Sequence, residues 1–348
     1  MFNKINIKKT LSVLFIILSA IMTIAVIFGN NDIVEIYKVL KSIRIGYILI
    51  AVISIFVFWF LESYMIYSLI TTFTDKKKTF KTFWLAVKTT MIGQYYSNIT
   101  PFASGGQPVQ LYVMKDDNVP LSGGTAVLVS KFLLFQVGIT IYSLLLAIYR
   151  INMIISYSNK ISFFILTGLT INVVMLSTII LIALRPKILI GFIEKIFGFL
   201  HKHHLIKDID SKLANAHKFI SEYEDSIGKL KKDIPLTLTM FIITFIQLTA
   251  FFSITFFIYK ALNLEGASIL EIICLQSFLY MAVSFIPTPG TAGVSEIGFV
   301  MLLGHIFNSN IVGTALILWR GISYYFSLVF SGLFSIAVTT LSTKKRIA

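Results

Sequence analysis

The sequence predicts an all-α integral membrane protein with about six full spans and two broken, re-entrant helix hairpins. Three observations carry this reading. Of 348 residues, 56% are hydrophobic and only 13% are Asp, Glu, Lys or Arg, whereas soluble domains have about 45–50% and about 25%. Several apolar runs reach the ~20 residues that cross a bilayer as a helix. Two further apolar stretches are interrupted by clusters of Gly, Pro, Asn and Gln. The first observation excludes a water-soluble globular enzyme. The whole chain, 1–348, reads as a single polytopic membrane domain.

Taken in order, Lys4, Lys8 and Lys9 precede an apolar run from Leu11 to Phe28. No small-x-small cleavage pattern follows, so this reads as an uncleaved first span rather than a signal peptide. Residues 31–45 place Ile33, Ile36, Tyr37 and Leu40 at helical spacing and suggest an interfacial helix. Gly46–Ile70 is the second span, followed by Lys76, Lys77, Lys78 and Lys81. Ala126–Tyr149, Ile161–Leu184, Pro235–Tyr259 and Ile311–Leu341 complete the set. Residues 188–233 form the only long polar stretch, expected as a cytoplasmic amphipathic helical insertion on the membrane surface.

Two regions do not fit simple spans. Residues 82–118 break at Thr100-Pro101 and again at Ser104-Gly105-Gly106-Gln107-Pro108. Residues 269–307 break at Pro287-Thr288-Pro289-Gly290-Thr291-Ala292-Gly293. Broken backbone at membrane depth is tolerated only where it is buried in protein or lines a wet cavity.

Charge gives the orientation. With a cytoplasmic N-terminus, 20 of the 30 Lys and Arg fall on the inner side and 6 on the outer side, placing both termini inside. The net charge of +14 is therefore topology, and nucleic acid is not an expected partner. The split is the same whether the hairpins are re-entrant or cross fully. In the re-entrant arrangement they enter from opposite sides. Lys131 lies 30 residues after Pro101 and Arg320 lies 31 after Pro289. This suggests an inverted repeat whose broken helices meet near the midplane.

The candidate site residues cluster at the breaks. Gln94, Asn98, Thr100, Pro101, Gly105, Gly106, Gln107 and Gln110 concentrate turn-forming and amide groups inside a lipid-soluble chain. Converging N–H groups and a half-helix N-terminus can hold a phosphate; the plainer alternative is a turn that only packs. At the second break, Pro287, Pro289, Gly290 and Gly293 shape a turn, and Glu296 enters the first turn of the returning half-helix. Glu296 reads either as a helix cap or as an acidic group for a substrate amine or proton. Arg320 is roughly 14 Å below the end of its helix, with Glu296 or a phosphate as its expected partner. Lys131 reads equally as a site residue or as a side chain that snorkels to the surface. Glu62 is interfacial or part of the site, and Tyr324 and Tyr325 read as packing.

Other chemistry finds little support. One cysteine, Cys274, forms neither an internal disulfide nor a Cys-based zinc site. His201, His203 and His204 lack nearby carboxylates in a ligand-like pattern, so no metal is expected. No Walker loop, dinucleotide glycine pattern, HExxH or GxSxG occurs, and no cofactor is expected.

The pattern Gly93-x4-Asn98-x2-Pro101 with Gly105-Gly106-Gln107-Pro108, followed by Pro287-x-Pro289-Gly290-x2-Gly293-x2-Glu296, resembles the lysylphosphatidylglycerol synthase transmembrane, flippase-like family. This is the membrane half of the bacterial multiple peptide resistance factor. The resemblance covers about residues 10–340. Where many members have an Arg-containing segment after the glycines, this chain has Gln107 and Gln110. The resemblance implies a bacterial inner-membrane protein, connected with antimicrobial peptide resistance, that moves an aminoacylated or other anionic lipid between leaflets. Its expected partners are membrane phospholipids and a separate lipid-modifying enzyme. Phosphatidylglycerol lysyltransferase activity belongs to members with a further soluble domain. Only seven residues follow Leu341, so this chain is not expected to perform that transfer alone. A polyprenyl-linked or glycolipid cargo is the remaining alternative.

Overall fold

The computed structural model describes residues 38–152, 159–184, 191, 194–198, 213–218, 220–221, 224, 228, 232–284, 286, 288–308 and 310–347. The expected first span at 11–28, most of the 31–45 segment, most of the 188–233 insertion, the three histidines at 201–204 and Pro287 lie outside the described residues. The described secondary structure is entirely helical. It comprises α1 (Ile45–Phe73), α2 (Phe80–Ile99), α3 (Gly106–Asp116), α4 (Leu121–Tyr149) and α5 (Asn159–Leu184). There follow α6 (Ile234–Ala261), α7 (Ile269–Val283), α8 (Val294–Phe307), α9 (Val312–Arg320), a π-helical turn (Gly321–Phe326) and α10 (Ser327–Ile347).

Four helical stretches are long and apolar enough to cross a membrane: α1, α4, α6 and Val312–Thr340, which runs through α9, the π turn and α10. The expected spans at 46–70, 126–149, 235–259 and 311–341 coincide with these. The expected span at 161–184 is α5, whose 26 residues contain the apolar segment Ile165–Thr178. Helix α1 shows how the sequence sorts its faces. Ile45, Leu49, Ile53 and Phe60 form an exposed apolar stripe, while Ala51, Ile55, Trp59, Ile66 and Phe73 are buried against the other helices. An outward apolar stripe is costly in water and neutral in lipid. Polar caps fix helix starts near the membrane edges: Thr79 Oγ1 accepts from Thr82 N–H at 3.3 Å, Asp233 Oδ1 from Leu236 N–H at 3.0 Å and Ser268 Oγ from Glu271 N–H at 3.2 Å.

Contacts between residues distant in sequence define two ends of the bundle. Arg44 N–H donates to Ala261 O at 2.9 Å, and Asn263 Nδ2 donates to Ser42 O at 2.9 Å. The start of α1 and the finish of α6 therefore share one end. Arg150 Nη2 donates to Ser268 Oγ at 3.1 Å, adding the finish of α4 and the start of α7 to that end. Tyr259 packs edge-on to Phe307 with ring centroids 5.7 Å apart, so α8 returns to the end from which α7 departed. At the opposite end, Lys76 Nζ donates to Asp117 O at 2.7 Å and Lys88 pairs with the Asp117 carboxylate. The α2/α3 hairpin therefore also returns to its starting end. Both hairpins are re-entrant, and they enter from opposite ends.

Their lengths bring the tips together inside the bundle. Lys88 is level with the close of α3, and α3 has 11 residues, about 16 Å of helix, or half of a ~30 Å hydrocarbon core. Helices α7 and α8 have 15 and 14 residues, about 22 and 21 Å. The two turns pack directly against each other.

The tips are copies in backbone conformation. Each is a three-residue 3₁₀ turn, Pro101–Ala103 and Pro289–Thr291, with every residue of the second 188 positions after its counterpart. Phe102 has φ 55°, ψ 17° and Gly290 has φ 57°, ψ 21°. Ala103 and Thr291 have φ 53° and 55°. The same spacing relates Gly106 and Val294, which open α3 and α8. An inverted repeat is thus present at the tips, although their residue types share little beyond the proline.

Candidate functional site

A cavity of about 320 Å³ lies where the two tips meet the final span. Its wall includes Gln94, Ser97, Asn98 and Phe102 from the first hairpin and Gln276, Tyr280, Thr288, Gly290 and Ser295 from the second. The final span contributes Trp319, Arg320, Tyr324 and Ser327, and Trp59 faces it from α1. The lining is mostly apolar and aromatic with a few polar groups, as small-molecule sites generally are.

Arg320 is the cavity's cation, and it is tightly held. It is 4% exposed, and Glu296 is fully buried. Arg320 Nε donates to Glu296 Oε1 at 2.7 Å, Nη1 donates to Gly290 O at 3.0 Å and Nη2 donates to Ser295 Oγ. Glu296 Oε2 accepts from Gly293 N–H at 2.7 Å and from Ser295 Oγ at 3.0 Å. The carboxylate therefore caps α8 and neutralises the guanidinium, which matches the helix-cap reading of Glu296 and the expected partner of Arg320. Position in the first turn of α8 suits a carboxylate because free N–H groups and the positive dipole end converge there. The Arg320 guanidinium carbon lies 5.2 Å from the Trp319 ring centre and 5.3 Å from that of Tyr324, within cation–π range.

The local backbone is shaped for these contacts. Gly290 needs its freedom: its φ is positive, and an added Cβ would collide with the Tyr324 ring. Gly293 has φ 87° and points its N–H at Glu296. Immediately after Arg320 the helix widens into the π turn, a feature often associated with functional sites. Tyr324, on that turn, donates its hydroxyl to Asn98 O at 3.1 Å. Asn98 Nδ2 donates to Ser327 Oγ at 3.3 Å, and Asn98 Oδ1 accepts from Gln94 Nε2 at 3.2 Å. The first tip is thus tied to the final span beside Arg320. Tyr324, read from sequence as packing, is also a cavity wall residue.

The structure sorts the remaining sequence-selected residues. Gln94, Asn98, Gly290 and Arg320 line the cavity, while Gly293 and Glu296 support Arg320 from behind it. Thr100 builds the turn, its hydroxyl donating to Tyr96 O at 2.7 Å and accepting from Gly105 N–H at 2.9 Å. Pro101 and Pro289 open the two 3₁₀ turns without joining the defined wall. Gly105 approaches Thr100, Gly106 approaches Ser97, and Gln110 packs across Gly93. Those three close the first hairpin on itself, and Gln107 is exposed. Lys131 is not on the wall; it pairs with Glu62, 69 positions earlier.

Sequence reasoning did not select Gln276, Tyr280, Thr288 or Ser327. An amide in the apolar run of α7 was the available signal for Gln276, which is 3% exposed.

The fold and site define a multi-pass helical membrane protein with a mostly apolar cavity, carrying one buried arginine, between two opposed re-entrant hairpins. Residues 10–331 match the family described as the lysylphosphatidylglycerol synthase TM region, and the chain belongs to that family. It is also similar to a UPF0104 membrane protein of Archaeoglobus fulgidus, with 22% identity over 337 residues, covering 94% of this chain and 97% of that protein.

Proposed function

We propose that the protein is a flippase-like lipid carrier that moves an anionic lipid, aminoacylated or not, between leaflets. The observation that carries this is the junction of two re-entrant tips, entering from opposite ends, around a cavity with Arg320 in its wall. Half-helices that meet within a bundle are a recurrent way to build an alternating-access site. A guanidinium offers five N–H donors. Three nitrogens of Arg320 are engaged once each, which leaves two N–H groups for a phosphate oxygen. A charged ligand offsets part of the desolvation cost of a buried ion pair, which gives the Arg320–Glu296 pair a use beyond packing. The proposed partners are membrane phospholipids and a separate lipid-modifying enzyme. The proposed location is a bacterial inner membrane, with the lysine-rich end at Lys76–Lys81 in the cytoplasm.

The test is head-group accessibility in vesicles containing the purified chain and fluorescent or chemically reactive phosphatidylglycerol. The expected result is accelerated exchange between leaflets, lost in Arg320→Ala and reduced in Glu296→Gln. Exchange at the rate of protein-free vesicles, or variants that match the parent, would overturn the proposal. Faster exchange of a polyprenyl-linked or glycolipid cargo than of phosphatidylglycerol would also count against it.

A further inference from the structure

We infer that the exposed face of the first hairpin is a water-lined portal by which a lipid phosphate head group reaches the cavity from the lysine-rich end, and that Phe102 gates its mouth. The inference deepens the lipid-carrier reading and rests on it for the ligand.

The outward faces of the helices differ in chemistry. On α6 an exposed row runs Ile234, Leu238, Ile242 and Ile246, and on α10 it runs Val329, Leu333 and Ile336. Such rows suit lipid tails, which are as apolar as the side chains themselves. On α3 and the tip before it, the exposed side chains include Ser104, Gln107, Tyr112 and Lys115. They lead from the tip to the end of the bundle where Lys76 and Lys88 meet Asp117. Lipid tails offer no partner to a hydroxyl, an amide or an ammonium, whereas water does.

The backbone gives the second observation. The tip stands about 16 Å into the membrane, the length of α3. Irregular backbone at such depth persists only when buried in protein or beside water. Here it is not buried: Phe102 is 59% exposed, and Ala103 and Ser104 are exposed as well. Phe102 and Ala103 also belong to the cavity wall, so the wet face and the cavity are continuous at these two residues. Phe102 holds φ 55°, where its counterpart in the second tip is Gly290. A ring kept in the left-handed region, which glycine enters at far lower cost, marks a position held for function. Its place is the boundary between portal and cavity.

Cysteine accessibility tests the portal. Cys274 is fully buried and is replaced by serine to give a thiol-free background. Single Ser104→Cys and Gln107→Cys changes are compared with Lys77→Cys, at an exposed loop position, and Leu333→Cys, on the apolar row of α10. The full chain in native membrane vesicles is treated with a charged, membrane-impermeant methanethiosulfonate, which attacks the thiolate and therefore reacts in water. Both tip cysteines are expected to react within about tenfold of Lys77→Cys, at least a hundredfold faster than Leu333→Cys, and in the same vesicle orientation as Lys77→Cys. Tip cysteines as slow as Leu333→Cys, or reactive only from the opposite side, would overturn the portal.

For the gate, Ser284→Cys reports from the cavity wall. Phe102→Gly removes the ring at a φ that glycine adopts freely, and is expected to speed modification of Ser284→Cys at least threefold. An unchanged rate would overturn the gating role, and the tip cysteines decide the portal without that variant. In reconstituted phosphatidylcholine vesicles, added phosphatidylglycerol is expected to slow the same modification at least threefold, and soluble glycerol phosphate is not. Equal slowing by the soluble phosphate, or none by the lipid, would overturn the route as one for a lipid. Labelling requires no transport, so failed leaflet exchange with this pattern intact sinks the carrier proposal alone. Intact exchange with an unreactive tip sinks the portal alone.

Discussion

Removing Glu296 should unfold the second tip from its centre, and the contacts set the size of the effect. In Glu296→Ala, Arg320 loses the partner of its Nε while remaining 4% exposed. Stranding one member of a buried pair costs about 3–5 kcal/mol. Gly293 N–H loses its 2.7 Å acceptor as well, adding about 1 kcal/mol for a helix-start donor left unmet. The single variant should therefore lose about 4–6 kcal/mol. Arg320→Met alone strands the carboxylate, though Gly293 and Ser295 still support it, and should lose about 3 kcal/mol. In the double variant no charge is stranded, so the losses should fall short of their sum by about 2–3 kcal/mol. The assay is equilibrium unfolding of the full chain in mixed micelles, followed by tryptophan fluorescence, to which Trp319 reports directly. A coupling energy below about 0.5 kcal/mol would refute the reasoning, because residues that do not interact add within that margin.

Three further outcomes follow from the same geometry. Gly290→Ala should destabilise by about 2–5 kcal/mol, combining a left-handed alanine with overpacking against Tyr324; thermal melting checks it, and Tyr324→Ala in the same chain should recover the packing part. Tyr324→Phe should cost about 1 kcal/mol through the lost bond to Asn98 O, read as a lower melting temperature with the helical circular dichroism unchanged. Glu62→Gln should cost about 3 kcal/mol by stranding Lys131, whereas Glu62→Gln with Lys131→Met should lose less than either single change in the same unfolding assay.

Much of this arrangement is legible in the sequence because lipid simplifies the code. Apolar runs must be helices in a bilayer, so the described spans follow from composition. Glu296 and Arg320 are recognisable as partners because each is an isolated charge in an apolar stretch. The re-entrant geometry is not legible from charge, because hairpins that cross fully leave the same loops on the same sides. Contacts such as Arg44 with Ala261 and Lys88 with Asp117 decide it. The Lys131–Glu62 pair is also hidden: both residues lie toward the ends of the apolar runs 46–70 and 126–149, where a snorkelling side chain is the ordinary expectation, whereas the helices extend further, to Phe73 and back to Leu121, and the packing of α1 on α4 joins the two. Gln107 and Gln110 look equivalent in sequence, yet one is exposed and the other fills the space above Gly93. The missing side chain of a glycine on the opposite arm makes that difference, and no local pattern encodes it.

The two cations of the final span and of α4 occupy positions that are not equivalent in the inverted repeat. The tips correspond at a spacing of 188 positions, which pairs Lys131 with Trp319 rather than with Arg320. A shift of one position turns a side chain by about 100° around an α-helix. Trp319 and Arg320 both line the cavity, and the π turn that follows them supplies Tyr324 beneath the guanidinium. Lys131 meets Glu62 on α1 instead. The first tip presents amides that are tied to one another and to the final span through Asn98. The second, with the final span, carries the ion pair. The repeat has duplicated the backbone and not the chemistry. A ligand in the cavity would therefore be gripped mainly by the second hairpin and the final span, with the first tip acting as the wall against which they close.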